Sequence, residues 1–219
     1  MNTLHNLKIS KQMRKLFFVL IFIGVIFTSL RFTSKDSEPI PTESKELNNS
    51  TKEELNNQIE SVKKIINSNS KYNKEIAFFI DMKIPSGRNR FFIYDLKNNQ
   101  IIDEGLVAHG VGSETGIQGE LNFSNEGNSL CTSLGKYSIG HYYNGRFGKA
   151  YKLYGLDKTN SNAFNRSIVL HKYSAVPYEE QEKYICKSFG CPMVNEKYFE
   201  RIEKIIDNSK TNIILNIYY

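Results

Sequence analysis

The sequence is poor in the residues that build cross-linked or metal-bound scaffolds. Its 219 residues include three cysteines, five prolines and no tryptophan. Three cysteines are too few for a disulfide framework, and the odd number leaves at least one thiol free or paired with another chain. Cys186, Cys191 and His171 also lack the paired close spacings of zinc ligands. We therefore expect no metal ion and no other cofactor.

The sequence also lacks a strong excess of charge. The formal net charge is +6. Residues 1–70 contain 10 basic and 7 acidic side chains, and residues 71–219 contain 19 basic and 16 acidic side chains. No basic stripe with interleaved aromatic residues is present, as nucleic-acid binding would require. Such a charge is typical of a mildly basic, soluble surface. We expect no nucleic-acid partner.

The longest uncharged apolar run is short and lies near the start of the chain. Leu16 to Leu30 reads LFFVLIFIGVIFTSL and follows a basic segment that includes Lys8 and Arg14. Spanning a bilayer comfortably takes about 20 residues. Residues 1–31 are therefore predicted to be either a cleaved signal peptide or an uncleaved signal-anchor that contacts the membrane. In both cases the rest of the chain is exported to the periplasm or cell envelope.

The rest of the chain divides into a polar linker with an amphipathic helix (32–70) and a main domain (71–219). The helix, predicted at 51–69, either packs on the main domain or continues a stalk. One further helix is predicted from Glu196 to Asn208, with Asn195 as its N-cap. Many short strands with few helices indicate a mostly-β sandwich or barrel. The strands are predicted at 75–82, 90–96, 101–110, 135–143, 149–156, 166–173 and 212–219.

The segment ICKSFGCPMVN, Ile185 to Asn195, contains the best candidate for a reactive thiol. Gly190 permits a tight turn before Cys191, and such a turn can direct successive N–H groups at one point, as an oxyanion requires. Upstream, the apolar strand RSIVLHKY leads into His171, a base that a catalytic thiol needs. A buried inert thiol and a Cys186–Cys191 disulfide remain the alternatives at this stage.

His171, a spacer of sixteen residues, and then Ser188-x-Gly190-Cys191 resemble the signature of the L,D-transpeptidase catalytic domain. The resemblance is to the murein branch of that family, and it departs from the branch in having Lys172 in place of Gly and Lys187 in place of Arg. It covers roughly residues 76–194 and includes the stretches LVAHGVGS (106–113), FSNEGNSLCTSLGKY (123–137), NRSIVLH (165–171) and KSFGCPMV (187–194).

The resemblance implies an L,D-transpeptidase acting on peptidoglycan stem peptides. Cys191 is the implied nucleophile and His171 its base, and the two cut the bond before the terminal D-alanine through a thioester. An acceptor amine then forms a 3→3 crosslink. The remaining implied roles are the oxyanion turn at Ser188, Phe189 and Gly190, and substrate contacts at Ser133, Gly135, Tyr137 and His109, with a structural role open for His109.

Two other functions compete with this interpretation. With water as the acceptor, the same site would act as an L,D-carboxypeptidase. A non-catalytic cell-wall-binding envelope module would keep the fold without using the thiol. A papain-like endopeptidase fits poorly, because such enzymes place cysteine before histidine and on a helix, whereas Cys191 follows His171 in a β-rich chain.

Overall fold

The computed structural model describes residues 48–219. The predicted signal or anchor segment and the polar linker up to residue 47 lie outside the described residues. Among the helices of residues 48–219, none is long and apolar enough to cross a membrane.

The two helices of the described region begin at asparagine caps. Helix α1 is Asn49–Ser68 and helix α2 is Glu196–Asn208. The side chain of Asn48 accepts the N–H of Thr51, and that of Asn195 accepts the N–H of Lys197. Both caps satisfy backbone donors that a helix start leaves unpaired. The predicted α2 is confirmed at both ends.

Nine strands within residues 48–219 form one mixed sheet. In chain order they are β1 (Ile76–Asp81), β2 (Phe91–Asp95), β3 (Gln100–Gly105), β4 (Val107–Ala108), β5 (Gly135–Gly145), β6 (Gly148–Gly155), β7 (Val169–Lys172), β8 (Met193–Val194) and β9 (Ile214–Tyr218). Their order in the sheet is β3-β2-β1-β9-β5-β6-β7-β8-β4. The pairs β1–β9 and β7–β8 are parallel, and the other pairs are antiparallel.

The sheet curls into a nearly closed barrel. Its two edge strands, β3 and β4, are separated along the chain by Leu106 alone, so the two edges must lie side by side. The prediction of one strand over 101–110 is therefore wrong. Gly105 ends β3 where α2 packs closely, since a Cβ there would lie 2.5 Å from Cδ1 of Tyr198. The mostly-β, barrel-like fold is confirmed.

Apolar faces on both helices complete two separate cores. Helix α2 buries Tyr198, Phe199 and Ile202 in the main core with inward residues of the strands. Helix α1 buries four apolar side chains against β1, β2 and β9, so it packs on the domain and does not continue a stalk. These side chains are Leu55, Ile59, Val62 and Ile66.

Strand β8 is too short for a sequence pattern to reveal it. Its two residues pair with β7 on one side and β4 on the other, so it lies between the segments that carry His171 and His109. Because β8 starts two residues after Cys191, this pairing determines where the thiol lies.

Candidate active site

The turn from Ser188 to Cys191 is held by the segment that follows β4. The N–H of Ser188 donates to the carbonyl of His109 at 2.8 Å, and the N–H of Val111 donates to the carbonyl of Ser188 at 2.8 Å. This short parallel bridge anchors the start of the turn. The ring of Phe189 is 77% exposed beside the thiol-bearing residue.

Gly190 has the backbone conformation that glycine alone adopts readily, with φ at +118°. Its N–H donates to Oγ of Ser188 at 3.0 Å, which closes the turn. A Cβ at this position would lie 2.8 Å from the carbonyl oxygen of Cys131. Conformation and close packing therefore both require glycine here.

Gly190→Ala is expected to lower the free energy of unfolding by about 2–3 kcal/mol. The cost of a strained backbone at position 190 adds to the cost of displacing the carbonyl of Cys131. Gly116→Ala is the matched control, since Gly116 has φ at +83° with no atom near its added Cβ. That control should lose only about 1 kcal/mol. Urea titration of both variants measures the difference, and equal losses would contradict the proposed steric clash.

The thiol of Cys191 is half-buried against the main core. Its S–H donates to the carbonyl of Ser167 at 3.7 Å, and Ser167 has a left-handed φ of +57°. Burial raises the pKa of Cys191, and the N–H of Val169 and the charge of Arg166 offset part of that rise. All three cysteines of the chain lie in the described region and are free.

Arg166 ties the loop before β5 to the turn before β7. Its guanidinium donates to the carbonyls of Ser124 at 2.7 Å and Cys131 at 2.6 Å. It also donates to the hydroxyls of Ser129 and Ser133. The carbonyl of Cys131, which Arg166 binds, packs against Gly190, so Arg166 supports the turn through Cys131.

His171 lies on β7, directly opposite Met193 of β8. Its Nδ1–H donates to the carbonyl of Lys172 at 3.0 Å, which leaves Nε2 as a proton acceptor. Desolvation by burial lowers the pKa of His171, and the bond to Lys172 offsets part of that effect. His171 and Cys191 thus lie on neighbouring segments, although within residues 48–219 no hydrogen bond joins them.

A phenylalanine that the sequence patterns did not single out covers His171. Phe147, at the tip of the β5–β6 hairpin, stacks on the imidazole with ring centroids 5.2 Å apart and planes 18° apart. Its ring edge also packs on Tyr173. Only the antiparallel register of β5 with β6, and of β6 with β7, brings the hairpin tip to this histidine.

His109 follows β4 directly, and its side chain is buried. Its Nδ1 accepts from Arg90 at 2.9 Å, and its Nε2–H donates to Glu114 at 2.7 Å. Burial and the nearby Arg90 lower its pKa to about 4, so the imidazole is neutral. These two contacts occupy both ring nitrogens, and the substrate contact expected of His109 stays a prediction. Its carbonyl holds Ser188.

Three residues predicted to contact substrate, Ser133, Gly135 and Tyr137, lie at or just before the start of β5. The hydroxyl of Tyr137 donates to the carbonyl of Ser133 at 2.7 Å, and both side chains are buried. Burial raises the pKa of Tyr137 to about 12. Gly135 has φ at +119° and packs closely on Asp157 and Asn160. The substrate contacts expected of these three residues stay predictions.

A sequence model described as the L,D-transpeptidase catalytic domain matches residues 46–218. No curated protein sequence matches the chain.

Several solved structures are similar to the chain. An L,D-transpeptidase from Xylanimonas cellulosilytica is 12% identical with a TM-score of 0.36, and the match covers 67% of this chain and 61% of that one. An L,D-transpeptidase from Mycobacterium smegmatis is 9% identical with a TM-score of 0.40, and the match covers 66% of this chain and 59% of that one. Bd1075 of Bdellovibrio bacteriovorus is 17% identical with a TM-score of 0.39, and the match covers 66% of this chain and 48% of that one. The chain thus spans about half to three fifths of these structures.

Proposed function

Because the chain belongs to the L,D-transpeptidase catalytic domain family, and hence to that enzyme class, we propose that it is an exported enzyme that forms 3→3 crosslinks between peptidoglycan stem peptides. The observation that carries this proposal is the placement of one thiol, Cys191, in a glycine turn next to the strand that bears His171. Export follows from the substrate, since peptidoglycan lies outside the cytoplasm.

The proposed reaction begins with attack of Cys191 Sγ on the carbonyl of the third stem residue. Nε2 of His171 accepts the thiol proton as the S–C bond forms. The bond to the terminal D-alanine then breaks, the imidazolium returns the proton to the leaving amine, and a thioester remains. An amine of a second stem attacks this thioester, forms the new amide and releases the thiol.

Two backbone N–H groups of the turn are suited to bind the oxyanion. Within the described chain, the N–H groups of Phe189 and Cys191 have no hydrogen-bond acceptor, whereas that of Gly190 is already bound to Oγ of Ser188. The proposed oxyanion donors are therefore the N–H groups of Phe189 and Cys191. A well-placed donor contributes about 3 kcal/mol of transition-state stabilisation in comparable sites.

The resting state of the proposed pair is a neutral thiol beside a neutral imidazole. Burial raises the pKa of Cys191 and lowers that of His171, and both shifts disfavour a thiolate–imidazolium pair before substrate binds. Charge separation is then delayed until the oxyanion forms next to its N–H donors, where it is best stabilised.

Phe147→Ala is expected to shift the acid side of the pH profile upward. The imidazole must be neutral to accept a proton, so kcat/KM falls as the pH falls through the pKa of His171, which burial holds below 6.5. Removing the stacked ring admits water and moves that pKa back toward 6.5. NMR titration of His171 together with kcat/KM against pH measures the shift. The control is Tyr142→Ala, an exposed ring of the same hairpin that should leave the profile unchanged.

The proposed function is tested by incubating the full chain with tetrapeptide muropeptides and separating the products by liquid chromatography and mass spectrometry. Dimers linked 3→3 that the Cys191→Ala protein does not form support the transpeptidase. Tripeptides alone indicate the carboxypeptidase. Product formation equal to that of the Cys191→Ala protein contradicts both activities and favours the cell-wall-binding module.

A further inference from the structure

The outer face of the β5–β6 hairpin is continuous with the candidate active site. Tyr151 and Leu153 of β6 point into the main core, so the alternate residues Lys152 and Tyr154 lie on the outer face. Across the sheet, Lys152 is the register partner of Val169, whose N–H lies near the thiol of Cys191. Lys152 is therefore one strand away from the proposed nucleophile.

Further pairs in register extend this surface to the proposed base. Tyr143 of β5 pairs with Ala150 of β6, and Ala150 pairs with His171 of β7. Side chains at paired positions share one face of a sheet, so Tyr143 and His171 lie on the same side. The outer face thus runs without interruption from the rings of the hairpin to the site.

Three exposed rings line this surface. Tyr143 is 36%, Tyr154 37% and Phe164 51% exposed. The last two stack with centroids 5.2 Å apart and planes 13° apart. Gly140 makes room for the ring of Tyr154, because a Cβ there would lie 2.3 Å from its Cε2. A rigid aromatic pair held open to solvent is suited to contact with a ligand.

Two cations of the hairpin have no carboxylate partner in residues 48–219. Nζ of Lys152 lies 5.8 Å from the ring centroid of Tyr143 and 5.4 Å from that of Phe164. The guanidinium of Arg146 lies 5.6 Å from the ring centroid of Phe147, the ring that covers His171. Neither forms an ion pair, whereas Lys149, between them in sequence, is bound by Glu203 and Asp207 on the inner side.

We propose that this hairpin face, formed by Tyr143, Lys152, Tyr154 and Phe164 with Arg146 at the tip, binds the substrate as a carboxylate-bearing peptide. Lys152 and Arg146 contact free carboxylates of the stem, and the rings pack on its apolar parts. Aromatic rings hold the cation at Lys152 in place without neutralising it, which favours an anionic ligand. The inference rests on the proposed function for the identity of the peptide.

Binding to the inactive full chain tests the hairpin face directly. Isothermal titration of the Cys191→Ala protein with a tetrapeptide muropeptide gives the reference Kd. Adding Lys152→Gln is expected to raise Kd about fivefold, the effect of one partly exposed charge pair. The matched control is Lys64→Gln, an exposed lysine on α1 that forms no ion pair within residues 48–219. It should leave Kd unchanged.

A second ligand separates charge recognition from general damage to the surface. For a muropeptide whose carboxylates are amidated, Lys152→Gln is expected to change Kd by less than about twofold, because the interaction is already absent. An unchanged Kd for the charged ligand, an equal loss with Lys64→Gln, or an equal loss for the amidated ligand would overturn the proposal.

Failure of the proposed function is distinguishable from failure of this inference. If the native chain makes no product but Lys152→Gln still weakens binding of the charged muropeptide, the proposed enzyme activity is contradicted and the proposed binding role of the hairpin face is supported. If turnover requires Cys191 but Lys152→Gln leaves both Kd and KM unchanged, the proposed binding role of the hairpin face is contradicted and the proposed enzyme activity is not.

Discussion

Cys191→Ala is expected to lower the rate of product formation from tetrapeptide muropeptides by at least about 10³-fold, because the covalent route is lost with its nucleophile. Stability should change little. The thiol makes one long hydrogen bond, to the carbonyl of Ser167 at 3.7 Å, and is only half-buried. The free energy of unfolding is therefore expected to stay within about 1 kcal/mol of the native value.

Intact-protein mass spectrometry gives a second readout of the same variant. The native chain, mixed with donor muropeptide in the absence of acceptor, should gain the mass of the acyl group after loss of D-alanine, and the variant should not. Cys186→Ala is the matched control, since it removes another half-buried thiol five positions earlier in the same segment. Activity in Cys191→Ala, or equal inactivity in Cys186→Ala, would show that Cys191 is not the nucleophile.

His171→Gln is expected to lower kcat by about 10²–10⁴-fold, the usual contribution of a positioned general base. Glutamine keeps a polar group of similar reach at the end of β7, but its amide cannot accept the thiol proton. KM should change little, because the side chain is nearly covered by Phe147 and offers the substrate limited contact. The fall in rate at low pH should also disappear from whatever activity remains.

The control for this variant is His141→Gln, which alters an exposed histidine of β5. It should retain native kcat and the native pH profile. Steady-state kinetics across pH 4–8 compare the two variants. A His171→Gln protein that is folded by circular dichroism and has native kcat would exclude His171 as the base.

Local sequence signals were sufficient for much of the fold. Short runs rich in apolar and aromatic residues, bounded by turn residues, locate β1, β2, β5, β6 and β9. The cap at Asn195 and the spacing of Tyr198, Phe199 and Ile202 locate α2. These features depend on residues within a few positions of one another, so they can be read without knowing the topology.

Other features depend on contacts between residues far apart in the chain. The break at Leu106 arises because the sheet closes on itself, which no local pattern records. The N–H of Gly190 is bound to Ser188, and both ring nitrogens of His109 are occupied by Arg90 and Glu114. For Gly190 and His109, folding brings a hydrogen-bond partner close to a polar group whose partner cannot be identified from the local sequence.

Residue type and spacing in the sequence identify the candidates for the chemistry: the thiol of Cys191, the imidazole of His171 and the glycine between Ser188 and the thiol. Their surroundings depend on how the chain folds, because strand register places Phe147 over the imidazole and Lys152 opposite Val169. Residue type limits what a side chain can do, and the neighbours that folding supplies determine its pKa, its free hydrogen-bonding groups and its access to substrate.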